Sequence, residues 1–211
     1  MQFTRDEITK LERRRRLNIV NSITGIKPAN LLGTKSANGQ TNVAIFSSVV
    51  HLGSDPALLG FITRPTGEVH RHTYENLKET GVYTINQVPL NLIKQAHYTS
   101  AKLEREESEF DRMHLTEKYE PDFHAPFVAE SHLRIGMRFE EELPIKRNGT
   151  ILVIGSIEYL FVADEAVNDK GYINLEALET AGISGLNSYY ALKLVASFPY
   201  VRTNEIPDFG T

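Results

Sequence analysis

Alternating apolar and polar side chains run through much of the chain. In "HLRIGMRFEE", residues 132–141, Leu133, Ile135, Met137 and Phe139 share one parity and His132, Arg134, Arg138 and Glu140 the other. A period of two predicts a strand with one buried face. "TILVIGSIEYLFV", residues 150–162, is β-branched, aromatic and almost continuously apolar, which predicts a central strand; Gly155 inside it predicts a bulge or bend of the kind that closes a barrel. "ANLLGTKS", "TNVAIFSSVV", "ALLGFITR" and "GVYTINQV" read as further strands, and Asn38-Gly39 is the strongest hairpin signal.

Helical signals are shorter and lie between the strands. Thr4 with Glu7 makes a capping box for a helix over about 5–16, Thr73 opens "YENLKET" before Gly81, and "LNLIKQAHY" follows Pro89. A last helix is expected over about 186–197. Residues 101–125, with "KLEREESEFDR", read as an exposed helix or excursion whose charges are solvated. Many strands without a regular βαβ alternation predict a mainly β chain with peripheral helices, an antiparallel barrel rather than a doubly wound sheet. With 211 residues, no internal repeat and no low-complexity linker, residues 1–211 are expected to form a single domain.

Composition removes several function classes. Twenty-three basic residues against 27 acidic ones leave a net charge of -4, so there is no general field to attract nucleic acid or an anionic membrane. The absence of cysteine excludes disulfides, thiolate catalysis, iron-sulfur clusters and cysteine-zinc sites. No stretch approaches the ~18 apolar residues of a membrane span. "MQFTRDEITKLERRRR" has no apolar leader core, and the expectation is a cytoplasmic protein. Asn148-Gly149-Thr150 fits the glycosylation pattern but reads as a turn in that setting.

The usual enzyme signatures are missing: there is no GxGxxG, P-loop, HExxH, EF-hand loop or GxSxG elbow, and no acid, base or nucleophile constellation, so no catalytic side chain is assigned. His70 and His72 would share a face if extended, but no third ligand lies near them and no metal site is predicted. Arg13 to Arg16 point in different directions on a helix and read as a solvated end with one or two internal salt bridges.

Two stretches carry more. In "TRPTGEVHRHTYENLKETG", Arg64 closes a strand, a turn at Pro65 to Gly67 follows, and Arg71, His72 and Thr73 arrive at the start of a short helix. Unpaired N–H groups at a helix N-terminus beside arginines suit a phosphate. The competing reading makes Thr73 an N-cap and pairs the arginines with Glu68 or Glu75, and spacing alone does not decide between them. In "TNVAIFSSVV", Asn42, Ser47 and Ser48, with the backbone of Ala44, Ile45 and Phe46, place neutral donors and acceptors on an apolar strand. They suit a planar heteroaromatic ring better than an ion. A ring on one strand and a phosphate one strand away describe a mononucleotide-like cofactor, which would itself carry the chemistry.

Residues 28–86, from "PANLLGTKSANGQTNVAIFSS" through "TRPTGEVHRHTYENLKETGVYTIN", resemble the flavin reductase-like family of FMN-binding split-barrel proteins, and the similarity continues through "FEEELPIKRNGTILVIGSIEYLFV". The resemblance implies an antiparallel Greek-key split β-barrel that binds FMN non-covalently, a homodimer with the flavin near the subunit interface, and electron transfer from NADH or NADPH through flavin to a flavin or other acceptor. Carried onto this chain, it implies an isoalloxazine-binding segment with Thr34, Asn42, Ala44, Ile45, Phe46, Ser47 and Ser48. It likewise implies a phosphate and ribityl site with Arg64, Arg71, His72, Thr73 and Asn76.

Two positions depart from the family pattern. His72-Thr73 stands where many members have Asp-Thr, which bears on the phosphate geometry, and Thr150 stands where many have a histidine near the nicotinamide side. The second departure favours, as the alternative, an FMN-binding electron carrier or redox module with little NAD(P)H turnover. A cofactor-free β-barrel interaction module is the third reading, and in it the arginines serve only as capping and salt-bridge residues.

Overall fold

The structure, a computed structural model, describes residues 1–67 and 69–209. The chain opens with two short helices, α1 (Arg5–Lys10) and α2 (Arg13–Ser22), where one was expected. The Thr4–Glu7 capping box starts α1, and Leu11 in an extended conformation (φ -58°, ψ 146°) ends it. Glu12 then caps α2, its carboxylate accepting the Arg14 and Arg15 backbone N–H groups. Of the four arginines, Arg16 donates to the Thr9 carbonyl at 2.8 Å, and none of the four forms an ion pair among the described residues.

Strands follow: β1 (Lys27–Pro28), β2 (Asn30–Lys35), β3 (Thr41–Phe46), β4 (Val50–Ser54) and β5 (Ala57–Thr63). Helix α3 (His72–Thr80) precedes β6 (Val82–Gln87), and α4 (Ile93–Tyr98) and α5 (Glu109–Arg112) come next. The chain then runs through β7 (Glu117–Lys118), β8 (Phe127–Val128), β9 (Arg134–Ile145), β10 (Thr150–Phe161), β11 (Ala181–Ser184) and β12 (Ser188–Ala191).

Seven strands form one antiparallel sheet in the order β3-β2-β6-β9-β10-β5-β4. This is the antiparallel barrel expected from the strand pattern and the split barrel that the resemblance implies. The β2–β3 hairpin turns at Asn38-Gly39 as predicted, with Gly39 at φ +98° and its N–H bonded to the Ser36 carbonyl. The predicted irregularity at Gly155 is a register shift between Ile154 and Gly155. A Cβ on Gly155 would lie 2.5 Å from the buried Tyr83 hydroxyl and 2.6 Å from the Arg138 carbonyl, so the bend has room only for glycine.

Inside the barrel Leu32, Phe61, Tyr83, Ile85, Met137 and Val153 form one core. Phe46 stacks edge-on against Phe61 at 5.1 Å between centroids, and Phe61 against Tyr83 at 5.5 Å. Just before β4, the Ser48 hydroxyl accepts the Ile62 N–H at 3.0 Å and donates to the Ile62 carbonyl at 3.1 Å, carrying the β4–β5 pairing beyond Val50 and Gly60. Gly81, at φ +76°, ends α3 and turns the chain directly into β6. Helices α3 and α4 pack on β2 and β3. Among the described residues, no helix is long and apolar enough to cross a membrane.

Residues 186–197 are not a helix. Gly185 and Leu186 take positive φ and join β11 to β12, so Tyr189 pairs opposite Ile183 and its ring packs against the core of Ala29, Leu31 and Val43. Strand pairing has overridden the local helical preference here. The excursion at 101–125 is not simply solvated either: Phe110 and Glu109 are buried in α5.

Candidate functional site

The β2–β3 hairpin and the first turn of α3 converge on a buried polar network. Thr34, Asn42, Thr73 and Asn76 are each at most 6% exposed. The Asn42 side-chain amide donates to the Thr73 hydroxyl at 2.9 Å and, more weakly, to the Thr34 hydroxyl at 3.4 Å. The Asn76 amide donates to the same Thr34 oxygen at 3.2 Å. Buried polar atoms require such partners, so the four side chains hold the hairpin and the helix in one register.

Thr73 is therefore not the N-cap. That position belongs to Arg71, whose side chain makes no capping bond; Glu75 Oε1 instead accepts the Arg71 backbone N–H at 3.1 Å. Burial would raise the Glu75 carboxyl, but this N–H, His70 and Arg105 outweigh it and hold the carboxyl below its ordinary value. His72, half-buried in the first turn, is pushed below its ordinary value chiefly by burial.

Arg64 follows β5 directly, and Arg71 stands near it. The Arg71 guanidinium Nε donates to the Pro65 carbonyl at 3.3 Å, and its pKa is lowered by burial and by the Arg64 charge. Neither arginine forms an ion pair among the described residues, and Glu75 gives its side chain to His70 and Arg105 instead. Glu68 lies outside the described residues. Two adjacent cations with no carboxylate partner among the described residues suit an anion, and the start of the nine-residue α3 adds its positive dipole end.

Strand β3 ends the sheet order, so its outer edge presents backbone groups with no strand neighbour. Glu109 Oε2 takes up the Val43 N–H on that edge at 3.2 Å, and alternation places the Ile45 N–H on the same edge. Val43 and Ile45 turn their side chains into the core with Leu31, whereas Phe46 turns into the barrel interior. Ala44, Ile45 and Phe46 thus offer backbone rather than side-chain chemistry. Ser48, expected as a free donor, has its hydroxyl committed to the Ile62 backbone of β5, and Ser47 lies beside it at the half-buried strand end.

The structure brings Thr34, Asn42, Thr73 and Asn76 into one network, pairs Arg64 with Arg71 beside it, and carries the segment 44–48 away along β3. Sequence reasoning named Glu75 only as an ion-pair partner of Arg64 or Arg71, and missed Arg105 and Glu109. Arg105 bonds both Glu75 and Asn76, and burial raises the Glu109 carboxyl to about 7. Only Ser108, the N-cap of α5, marked that segment as more than a solvated run. The His70 and His72 rings are 6.1 Å apart, and no group of three or more His, Asp or Glu side chains among the described residues could hold a metal ion.

Known proteins resemble the chain along most of its length. The uncharacterized protein BH2278 of Halalkalibacterium halodurans is 30% identical over 168 residues, 77% of this chain and 80% of its own. A crystal structure from Shewanella frigidimarina NCIMB 400, whose description places it among flavin reductases with a split barrel domain, is 46% identical, with a TM-score of 0.91 over 95% of this chain and 100% of that one. Flavoredoxin of Desulfovibrio vulgaris (Miyazaki F) shares the fold, with a TM-score of 0.71 at 19% identity over 83% of this chain and 91% of its own. Residues 26–176 match the family model of the flavin reductase like domain, and on that match, which spans more than half of the chain, the protein belongs to the flavin reductase like family.

Proposed function

We propose that the chain binds FMN non-covalently along the outer edge of β3, with the phosphate at Arg64 and Arg71, and passes electrons from NADH or NADPH through the flavin to a flavin or other acceptor. The observation that carries this reading is the Arg64–Arg71 pair, two neighbouring guanidiniums with no carboxylate among the described residues. A phosphate dianion answers both, and bidentate arginine–phosphate bonds supply orientation as well as affinity. His72, Thr73 and Asn76 would line the ribityl side. The neutral edge of β3, from Ala44 to Ser48, suits a ring with carbonyl and ring-nitrogen edges. When bound, the flavin supplies the redox chemistry. The chain's own part is to orient the ring and to aim neutral donors where negative charge develops on reduction. No side chain is assigned a proton-transfer role.

The alternative, an FMN-binding electron carrier with little NAD(P)H turnover, draws on Thr150. Its hydroxyl is spent on Asn148 Oδ1 at 2.7 Å in the β9–β10 turn, leaving no titratable group at that position.

We also propose that two copies pair. The outer face of β4, β5, β9 and β10 carries Val50, Leu52, Ile62, Leu143, Ile145 and Leu152 in register across the four strands. Val50 and Leu143 are about half exposed, at 48% and 50%. An apolar outer sheet face of this extent marks an association surface. It adjoins Ser48 and Arg64, so a second copy seated on it would border the cofactor site.

The deciding experiment is the visible absorption spectrum after saturation with FMN and removal of the excess, followed by anaerobic NADH or NADPH. A retained, shifted flavin spectrum bleached by a nicotinamide supports the reductase reading. A retained flavin that bleaches only with a chemical reductant supports the carrier, and a colourless protein overturns both.

A further inference from the structure

The segment joining α4 to α5 crosses the candidate site, and one side chain of it reaches in. Arg105 Nη1 donates to Glu75 Oε2 at 2.7 Å, and Nη2 donates to Asn76 Oδ1 at 3.3 Å. Guanidinium is a donor only, so its contact assigns Oδ1 of Asn76 to the outside and Nδ2 to the Thr34 oxygen. The other oxygen of Glu75 accepts the Arg71 N–H at 3.1 Å and lies 3.1 Å from His70 Nδ1. One planar fork therefore touches both anchors of the first turn of α3: the carboxylate that holds the Arg71 backbone, and the amide that ties the helix to β2.

We propose that Arg105 is a positioning residue of the candidate flavin site, gripping Glu75 and Asn76 so that Arg71, His72 and Thr73 stand in register with Thr34 and Asn42. The role deepens the flavin reading above and rests on it. Arg105 and Glu75 have side chains 40% and 35% exposed, a degree at which an ion pair adds little to global stability. The effect of Arg105 is thus local: it selects one orientation of the Asn76 amide and one placement of the helix start.

Three variants test this. Fluorescence titration with FMN gives the affinity, and amide hydrogen exchange of the ligand-free protein gives the order of residues 71–76. Arg105→Ala is expected to weaken FMN binding on the order of tenfold, the scale on which supporting groups act on a site. It should also speed exchange across that turn while leaving the thermal midpoint nearly unmoved. Arg105→Lys keeps the ion pair but lacks the second arm of the fork, and is expected to fall between.

A double variant, Arg105→Ala with Glu75→Ala, separates positioning from simple attraction of an anion. If Arg105 acts through Glu75, the double variant binds FMN no better than Arg105→Ala; recovered affinity would mean that only net charge mattered, and would overturn the proposal. Unchanged affinity and exchange in Arg105→Ala would overturn it too. Wild-type protein that does not bind FMN would overturn the flavin reading itself, a result distinct from a wild type that binds and a variant that binds equally well.

Discussion

The Arg71 guanidinium stands close enough to Arg64 for the two charges to repel, and among the described residues neither meets a carboxylate. A bound phosphate could accept hydrogen bonds from both guanidiniums.

From this, Arg71→Ala is expected to weaken FMN binding by about 1.5–3 kcal/mol, the worth of a charge-assisted hydrogen bond, while riboflavin affinity changes little. Titrations of both ligands by flavin fluorescence check it. Equal losses for the two would move the phosphate elsewhere.

Glu109 gives a pH dependence. Burial raises its carboxyl from the ordinary 4.5 to about 7 in the folded protein. A raised folded pKa means that its favourable contribution is complete below about pH 4.5 and is lost as pH climbs through about 7. Glu109→Gln keeps an acceptor for the Val43 N–H and removes the ionisation. Calorimetry from pH 5 to 8 should show the variant gaining on the wild type as pH rises. The gain is a few kcal/mol at most, because a tenfold change in proton affinity is worth about 1.4 kcal/mol.

Gly155→Ala places a methyl group against the Tyr83 hydroxyl and the Arg138 carbonyl. Urea denaturation should show a loss of about 1–3 kcal/mol, the usual result of forcing extra volume into a packed interior. A neutral result would mean that β10 shifts its bulge freely.

The outer sheet face predicts a mass. Sedimentation equilibrium of the wild type is expected to give twice 23.8 kDa, and Leu52→Glu combined with Leu143→Glu should give the single-chain mass with unchanged far-UV dichroism. A wild type that stays single-chain at every concentration rules out the pairing.

How much of the fold and site is legible in the sequence depends on whether the signal is local. The hairpin at Asn38-Gly39, the strand of residues 132–141 and the bulge at Gly155 each follow from a few adjacent residues. So does the cap formed by Thr4 with Glu7. The tail misleads because "NSYYALKL" has helical spacing, and only the partner strand β11, with the core behind Tyr189, shows that it is extended. Thr73 misleads for a similar reason. Its spacing fits an N-cap, yet Asn42, 31 residues earlier in the chain, claims its hydroxyl. Arg105 and Glu109 sit in a charged run with no periodicity, and their partners Glu75, Asn76 and Val43 come from distant parts of the sequence.

The Ser48 clasp bears on how the barrel assembles. It extends the β4–β5 hairpin, and Ser48 and Ile62 are only 14 residues apart in the chain. The β5–β10 ladder, by contrast, pairs Thr63 with Ile151. Its separation of about 90 residues makes the ladder dearer in loop-closure entropy by roughly 1.6 kcal/mol. The clasp is thus within reach of the chain before its distant strands arrive. Contacts of high sequence separation slow folding, so the rate is expected to follow the arrival of β9 and β10, not the closing of the β4–β5 hairpin.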